Sequence, residues 1–318
     1  MSPLVLSRLR SSLKVALLAS TLVASLLVTA TGANLALESL ERTPQAYGQR
    51  VDIGPGSLNV YEHGTTGPTI VLLGGYGTAA PAVDYAPLIR QLDGYRLVVV
   101  EGFGYGYSDN TDLPRTVENI TAELHTVLAK LDVAEPYVLA GHSIAGLYML
   151  YYANLYGDEL AAVVELDASV PGQINGLAGG RSFLEQFAFR TGLLRVANAL
   201  MPSLSEPAGD FTPEERRQIL LMTNWNNANS ALVNEAHQLA RTFRLVATMK
   251  YPSDLPVLSI IKKTGSQPYW KELHIAHLAG LDHSKLVELD GGHYLHWTLS
   301  TAIADDIDRF LVEAGVER

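Results

Sequence analysis

With 318 residues the chain can bury one large core, or a core plus an accessory domain, without needing metals or disulfides to hold it together. Hydrophobic residues at 47% and charged residues at 18% suit a globular protein carrying an added apolar segment and exclude disorder as the dominant state. A formal charge of −10, with no lysine/arginine cluster among aromatics in the body, excludes a nucleic-acid surface; the absence of cysteine excludes disulfides, thiolate metal sites and a cysteine nucleophile.

Arg8, Arg10 and Lys14 precede the uncharged run Val15–Ala30, and small residues follow it. A basic flank before an apolar run is the pattern of a signal peptide, and extension to Leu37 makes it long enough to anchor in a bilayer. Export is expected either way. The Ala-x-Ala cleavage pattern is only approximate, which favours retention as a single anchor; loss of residues 1–30 would move the formal charge from −10 to −13. Residues 1–36 are thus read as signal peptide or anchor, with the body extracytoplasmic, and 37–56, punctuated by Pro44, Gly48, Gly54 and Gly56, as a linker.

Ser57–Glu62 reads as a short strand and Thr69–Leu73 as a buried one ended by Gly74, Gly75 and Gly77. A helix at Tyr85–Leu92 is followed by the strand Leu97–Val100, a helix from Thr116 to Leu131, the strand Tyr137–Ala140, a helix at Ile144–Leu155 and the strand Ala161–Leu166. Short strands without polar alternation, each followed by a helix, predict a largely parallel sheet covered on both faces. Between 172 and 250 the rhythm breaks. Phe183–Leu200 and Pro213–Val246 read as helices separated by a turn-rich stretch, and Thr212 with Glu215 forms a capping box with Pro213 at the first helical position. This is the expected helical cap, inserted between core segments 57–171 and 251–318. The strand Val257–Ile261, a helix near Trp270–Ala279, the strand Leu286–Leu289 and a helix near Thr298–Ala314 complete the core.

The strongest chemical signal is Ala140-Gly141-His142-Ser143-Ile144-Ala145-Gly146, set between a buried strand and a helix. Small residues permit a sharp turn that lifts the Ser143 hydroxyl above the sheet, and the helix start offers backbone donors beside it. His293, in a Gly-Gly-His loop after the last strand, is the candidate base, because parallel topology gathers the loops at the strands' carboxyl ends. His296 reads as a packing residue. Oxyanion donors are expected from the amides of Ile144 and Tyr76, the latter in a glycine-rich turn that lacks the ending of a phosphate loop. The loop after Ile261 has no aspartate. Asp167 is therefore the first candidate for the carboxylate behind His293, Glu272 the second and Asp282 the third. Glu101 reads as a carboxylate that satisfies backbone N–H groups of its turn.

These segments, TIVLLGGYG, LVVVEGFGYGYSD, YVLAGHSIAG, VVELDASVP and LVELDGGHYLHW, together resemble the α/β-hydrolase superfamily over roughly residues 50–315. The resemblance implies a three-layer α/β/α sandwich around a mostly parallel eight-stranded sheet, nucleophile Ser143, base His293, an oxyanion hole at Tyr76 and Ile144, and a cap over 172–250. It looks closest to bacterial membrane-anchored or exported members. Three positions depart from the usual pattern: Gly74 where histidine is common, Glu101 where aspartate is common, and the missing acid after the penultimate strand, which moves the expected acid to Asp167. A serine at the nucleophile position argues against epoxide hydrolase and dehalogenase chemistry, which uses aspartate there, and the Gly-Gly-Tyr-Gly loop argues against proline iminopeptidase.

The expected activity is hydrolysis of an ester or related acyl compound through an acyl-enzyme, with no metal or organic cofactor. Gly75, His142, Phe187 and Trp225 are expected in the substrate pocket, and Phe183, Phe189, Leu193, Leu194, Leu221 and Met222 give the cap an apolar lining suited to an uncharged acyl group. Acyl transfer or C–C bond hydrolysis on the same framework, and a non-catalytic membrane-associated binding protein, are the alternatives. The expected partners are a small acyl substrate and, if the N-terminal segment is kept, the membrane.

Overall fold

The computed structural model describes residues 3–43, 45–173, 183–201, 207–227, 229–263 and 269–316. A long helix, α1 (Pro3–Glu41), leads into β1 (Gln49–Asp52), β2 (Ser57–His63) and β3 (Thr69–Leu73). Short helices α2 (Pro81–Asp84) and α3 (Ala86–Ile89) precede β4 (Arg96–Glu101), α4 (Val117–Lys130), β5 (Tyr137–His142), α5 (Ala145–Tyr156) and β6 (Leu160–Leu166). Among the described residues four helices follow: α6 (Phe183–Arg190), α7 (Leu193–Leu200), α8 (Pro213–Asn226) and α9 (Ser230–Val246). The chain closes with β7 (Val257–Lys262), α10 (Trp270–Leu278), β8 (Ser284–Leu289), α11 (Leu295–Thr298) and α12 (Ser300–Glu313).

The strands form one eight-stranded sheet in the order β1-β2-β4-β3-β5-β6-β7-β8. Only the β1–β2 and β2–β4 pairs are antiparallel, and the remainder of the sheet is parallel. Runs such as Ile70-Val71-Leu72 and Val138-Leu139-Ala140 are fully buried, because each face lies under helices: one core gathers Leu124, Val127, Leu147 and Leu150, the other Leu88, Ile303, Ile307 and Phe310. This is the three-layer α/β/α architecture with a helical cap region that the sequence predicts.

Several boundaries differ from expectation for local reasons. The segment 37–56 is not a linker throughout: α1 continues to Glu41, and β1 pairs with β2 from Gln49 to Asp52. The helix expected at Tyr85–Leu92 is the shorter α3, and the unexpected α2 precedes it as a separate piece, since Pro87 in the first turn of α3 cannot donate to a continuous ladder. The cap helix expected at Phe183–Leu200 breaks at Gly192, whose φ of 75° is left-handed, and that at Pro213–Val246 breaks where the Asn229 side chain accepts from the Leu232 amide and starts α9. The capping box of Thr212 and Glu215 is formed. Parts of the expected turn at 201–211 and of the loop after β7, residues 202–206 and 264–268, lie outside the described residues, as does the Phe183 side chain.

Candidate active site

Ser143 stands in the turn from β5 to α5 with a φ of 57°. For a non-glycine residue this left-handed conformation is strained and persists only when its surroundings over-determine it. Here the Ser143 amide donates to the Leu166 carbonyl at 3.2 Å, and the Ser143 carbonyl accepts from Gly146 at 3.1 Å and from Ser169 at 2.7 Å. The small residues of the motif have specific jobs. A Cβ on Gly141 would lie 2.7 Å from the Ala145 Cβ, and one on Gly146 would lie 2.4 Å from the Ser169 carbonyl oxygen. The turn therefore packs directly onto the segment after β6, which carries Asp167.

His293 bridges the two. Its Nε2 is 3.0 Å from Ser143 Oγ, and its Nδ1 is 2.6 Å from Asp167 Oδ2. Asp167 is buried, itself at a φ of 42°, and its other oxygen accepts from Trp270 Nε1 at 2.8 Å and from the Lys262 amide at 3.2 Å. Burial alone would push its carboxyl up, but the hydrogen bond and charge of His293, with the Lys262 amide and ammonium, outweigh that and hold the carboxyl below its ordinary range. Ser143 and His293 remain partly open to solvent. The other two candidate acids are elsewhere: Glu272 is exposed on α10, and Asp282 is exposed, its amide donating to the Ser253 carbonyl at 2.8 Å.

His142 is buried beneath this group. Its Nε2 meets the His293 carbonyl at 2.9 Å, so that nitrogen carries the proton, and burial holds the ring well below the ordinary histidine range and hence neutral. It fixes the main chain of His293 and is not open to the pocket. His296 packs as expected, buried with Nε2 2.7 Å from Asp84. Glu101 likewise serves its turn: fully buried, it accepts from the Tyr107 and Ala82 amides, Asn59 and Tyr47, and burial pushes its carboxyl up despite them.

The glycine-rich loop passes close to the serine. A Cβ on Gly75 would stand 3.1 Å from Ser143 Cβ and 2.9 Å from His142 Nδ1, so glycine is required for the approach. Ile144 is the residue immediately before α5, where helix-start amides have no partner within the helix. Tyr76 follows Gly75, and its hydroxyl donates to the Leu232 carbonyl of α9 at 3.3 Å, tying loop to cap. Beside Gly74 opens a pocket of about 620 Å³, its mouth included, lined by Leu73, Pro81, Tyr105, Tyr148 and Glu235 among others. Glu235, on α9, accepts from Tyr148 at 2.7 Å and Tyr105 at 2.8 Å; burial raises its carboxyl.

None of the four expected pocket residues lines this pocket: Gly75 and His142 lie against Ser143 as described, and the two cap aromatics are elsewhere. Trp225 is buried at the seam between the cap and α1, its indole donating to Glu41 at 2.8 Å beneath the Arg42 guanidinium. Phe187 is half-buried on α6. Sequence reasoning missed Trp270 as the second donor to Asp167; its place opening the helix after β7 was the available signal. It also missed the Glu165 cluster, in which His277 Nε2 and the Tyr251 hydroxyl each lie 3.0 Å from the Glu165 carboxylate and His274 bonds Ser259 at 2.8 Å, all buried.

A parallel sheet with a strained serine at a strand-to-helix turn, and with a histidine and a buried carboxylate supplied by later loops, defines an α/β-hydrolase-fold protein. The chain belongs to the alpha/beta hydrolase family, whose model it matches over residues 70–305. It is similar to the uncharacterized protein YbdG of Bacillus subtilis (strain 168), 32% identical over 127 residues that cover 40% of this chain and 39% of that one. The chain spans under half the length of the curated relatives it matches. Among solved structures it resembles the epoxide hydrolase CorEH, with 15% identity, a TM-score of 0.62 and coverage of 83% of this chain and 98% of that one. A thermophilic esterase from Thermogutta terrifontis gives 20%, 0.58, 84% and 99%. At these identities the structural likeness carries the fold alone.

Proposed function

We propose that the protein is a serine hydrolase acting on a carboxylic ester or related acyl compound through an acyl-enzyme. The observation that supports this reading best is the continuous chain from Ser143 Oγ through the His293 ring to the Asp167 carboxylate, at 3.0 and 2.6 Å. His293 Nε2 takes the Ser143 proton as the hydroxyl attacks the carbonyl carbon, while Asp167 holds the Nδ1–H tautomer and stabilises the imidazolium. The amides of Ile144 and Tyr76 receive the developing oxyanion. His293 then gives its proton to the leaving oxygen, and a water activated by the same ring releases the acid. A serine here supports acyl chemistry over the aspartate-dependent opening of epoxides.

In the same reading α1 is a single membrane anchor and the body is extracytoplasmic. Ser12–Glu41 is long and apolar enough to cross a bilayer, with an 18-residue window of mean hydropathy 2.0, and the basic residues Arg8, Arg10 and Lys14 gather at its amino end. Residues 1–36 act as this anchor and 172–250 as the cap of a core formed by 57–171 and 251–318.

The deciding experiment is labelling with a fluorophosphonate, compared between wild type and Ser143→Ala. Labelling and turnover of acyl esters are expected in the first and lost in the second; no Ser143-dependent labelling or turnover across short and long acyl chains overturns the assignment.

A further inference from the structure

Helix α7 is built inside out for a protein in water. Its polar side chains turn toward the molecule: Asn198 is buried, and Arg195 is largely covered, pairing with both Glu41 carboxylate oxygens at 2.6 and 2.8 Å and with Asn34 Oδ1 at 2.9 Å. The apolar ones turn outward. Leu193, Val196 and Leu200 are 54%, 56% and 78% exposed, and Met201, next in the chain, and Leu184 of α6 are exposed as well. A surface helix in water places these faces the other way round, and a contiguous apolar patch of this kind marks an interaction surface.

The contacts of α7 indicate what covers it. Val15–Leu37 carries no charge and, at about 1.5 Å rise per residue, measures about 34 Å, enough to cross a hydrocarbon layer of about 30 Å. Asn34 lies in the last turn of that span, and its side chain meets Arg195, the Phe189 carbonyl at 3.5 Å and the space above Gly192. Farther inside the span, Leu27 and Thr31 lie on the same helical stripe as Asn34 and Glu38 and are partly covered. The start of α7 is thus tied to the anchor at a depth where the anchor is still apolar, while Glu38, Glu41 and Arg42 mark where it leaves the lipid. Arg190, exposed at the end of α6, adds a long basic side chain of the kind that reaches lipid phosphate from such a level.

We infer that the outward face of α7, with Leu184 and Met201, rests in the interfacial layer of the same leaflet from which α1 emerges, so that the cap is seated on the bilayer. This rests on the anchor reading of α1 given above and is independent of the chemistry at Ser143.

The absence of cysteine allows a direct test. Full-length Ser143→Ala protein with a single Val196→Cys, Leu200→Cys or, on the exposed end of α12, Val312→Cys substitution is labelled with an environment-sensitive fluorophore. Each is reconstituted in phosphatidylcholine/phosphatidylglycerol vesicles. The labels at 196 and 200 are expected to shift to shorter emission wavelength and to be quenched by about twofold or more by lipids carrying a nitroxide near the glycerol level, while the label at 312 stays water-like. Water-like emission at both 196 and 200 in reconstituted protein overturns the inference. So does protection that grows with the protein-to-lipid ratio without nitroxide quenching, which would mean that a second copy covers the face. Loss of α1 from the mature chain, read by intact mass, overturns it together with the anchor. Because the labelled protein lacks Ser143, failure here leaves the hydrolase assignment standing, and failure of fluorophosphonate labelling leaves this one standing.

Discussion

Two buried carboxylates, Asp167 and Glu165, stand two residues apart at the end of β6, and both are paired with histidine. In each, burial would raise the carboxyl, but the histidine partner outweighs it and the net shift is downward. The difference lies in where each histidine leads. His293 passes from Asp167 to a serine hydroxyl that solvent can reach, whereas His277 and His274 are buried and end among Glu165, Ser259 and each other. A carboxylate–histidine pair is therefore not itself a catalytic signature; what matters is an accessible nucleophile on the second ring nitrogen.

The largest expected effect that would break this comparison is on turnover. Asp167→Asn should lower kcat by about 10⁴-fold with the fold retained by circular dichroism, because the wrong tautomer of His293 is then favoured. Glu272→Gln should leave kcat within about twofold. Near-normal activity in the first with severe loss in the second would reverse the assignment of the acid.

Glu165→Gln should act on stability. Leaving His277 and Tyr251 without their buried anion is expected to cost about 3 kcal/mol in urea unfolding, while turnover per fluorophosphonate-reactive site stays unchanged. The pH dependence follows from the depressed carboxyls of both acids. Their stabilisation is complete above the unfolded carboxylate range, near pH 4, and is lost as pH falls from there through the lower folded values. The Glu165→Gln substitution should flatten that acid limb in part, and an unaltered limb would show that Glu165 does not contribute to it.

Trp270→Phe should have a smaller effect than either acid. Losing one donor to Asp167 is expected to cost about tenfold in kcat and to move the acid limb of kcat/KM to higher pH, since the carboxylate loses a hydrogen bond that favours its charged form. A uniform loss with no shift of the limb would make Trp270 a packing residue only.

The legibility of the sequence followed the same division. Alternation of apolar runs and glycines displayed the parallel sheet, and Ser143 and His293 were readable because the turns that carry them have no other reason to look as they do. Asp167 was reached by exclusion, through the missing aspartate after Ile261, rather than by any pattern of its own. Trp225 was expected in the pocket and lies at the seam with α1, because an aromatic in a helix declares that it is buried, not against what; its partner, Glu41, lies on α1. Helix α7 shows the same limit: periodicity gives the angle between its faces, but only the pairing of Arg195 with Glu41 and Asn34 tells which face turns inward.

The bond from the Ser169 amide to the Ser143 carbonyl, with Gly146 seated against the Ser169 oxygen, carries a kinematic consequence. Serine and aspartate turns are stitched main chain to main chain, and the His142 ring beside Ser143 also holds the His293 carbonyl, so the three turns share one set of anchors. What these anchors leave free is the His293 side chain, which meets Ser143 and Asp167 through its two ring nitrogens.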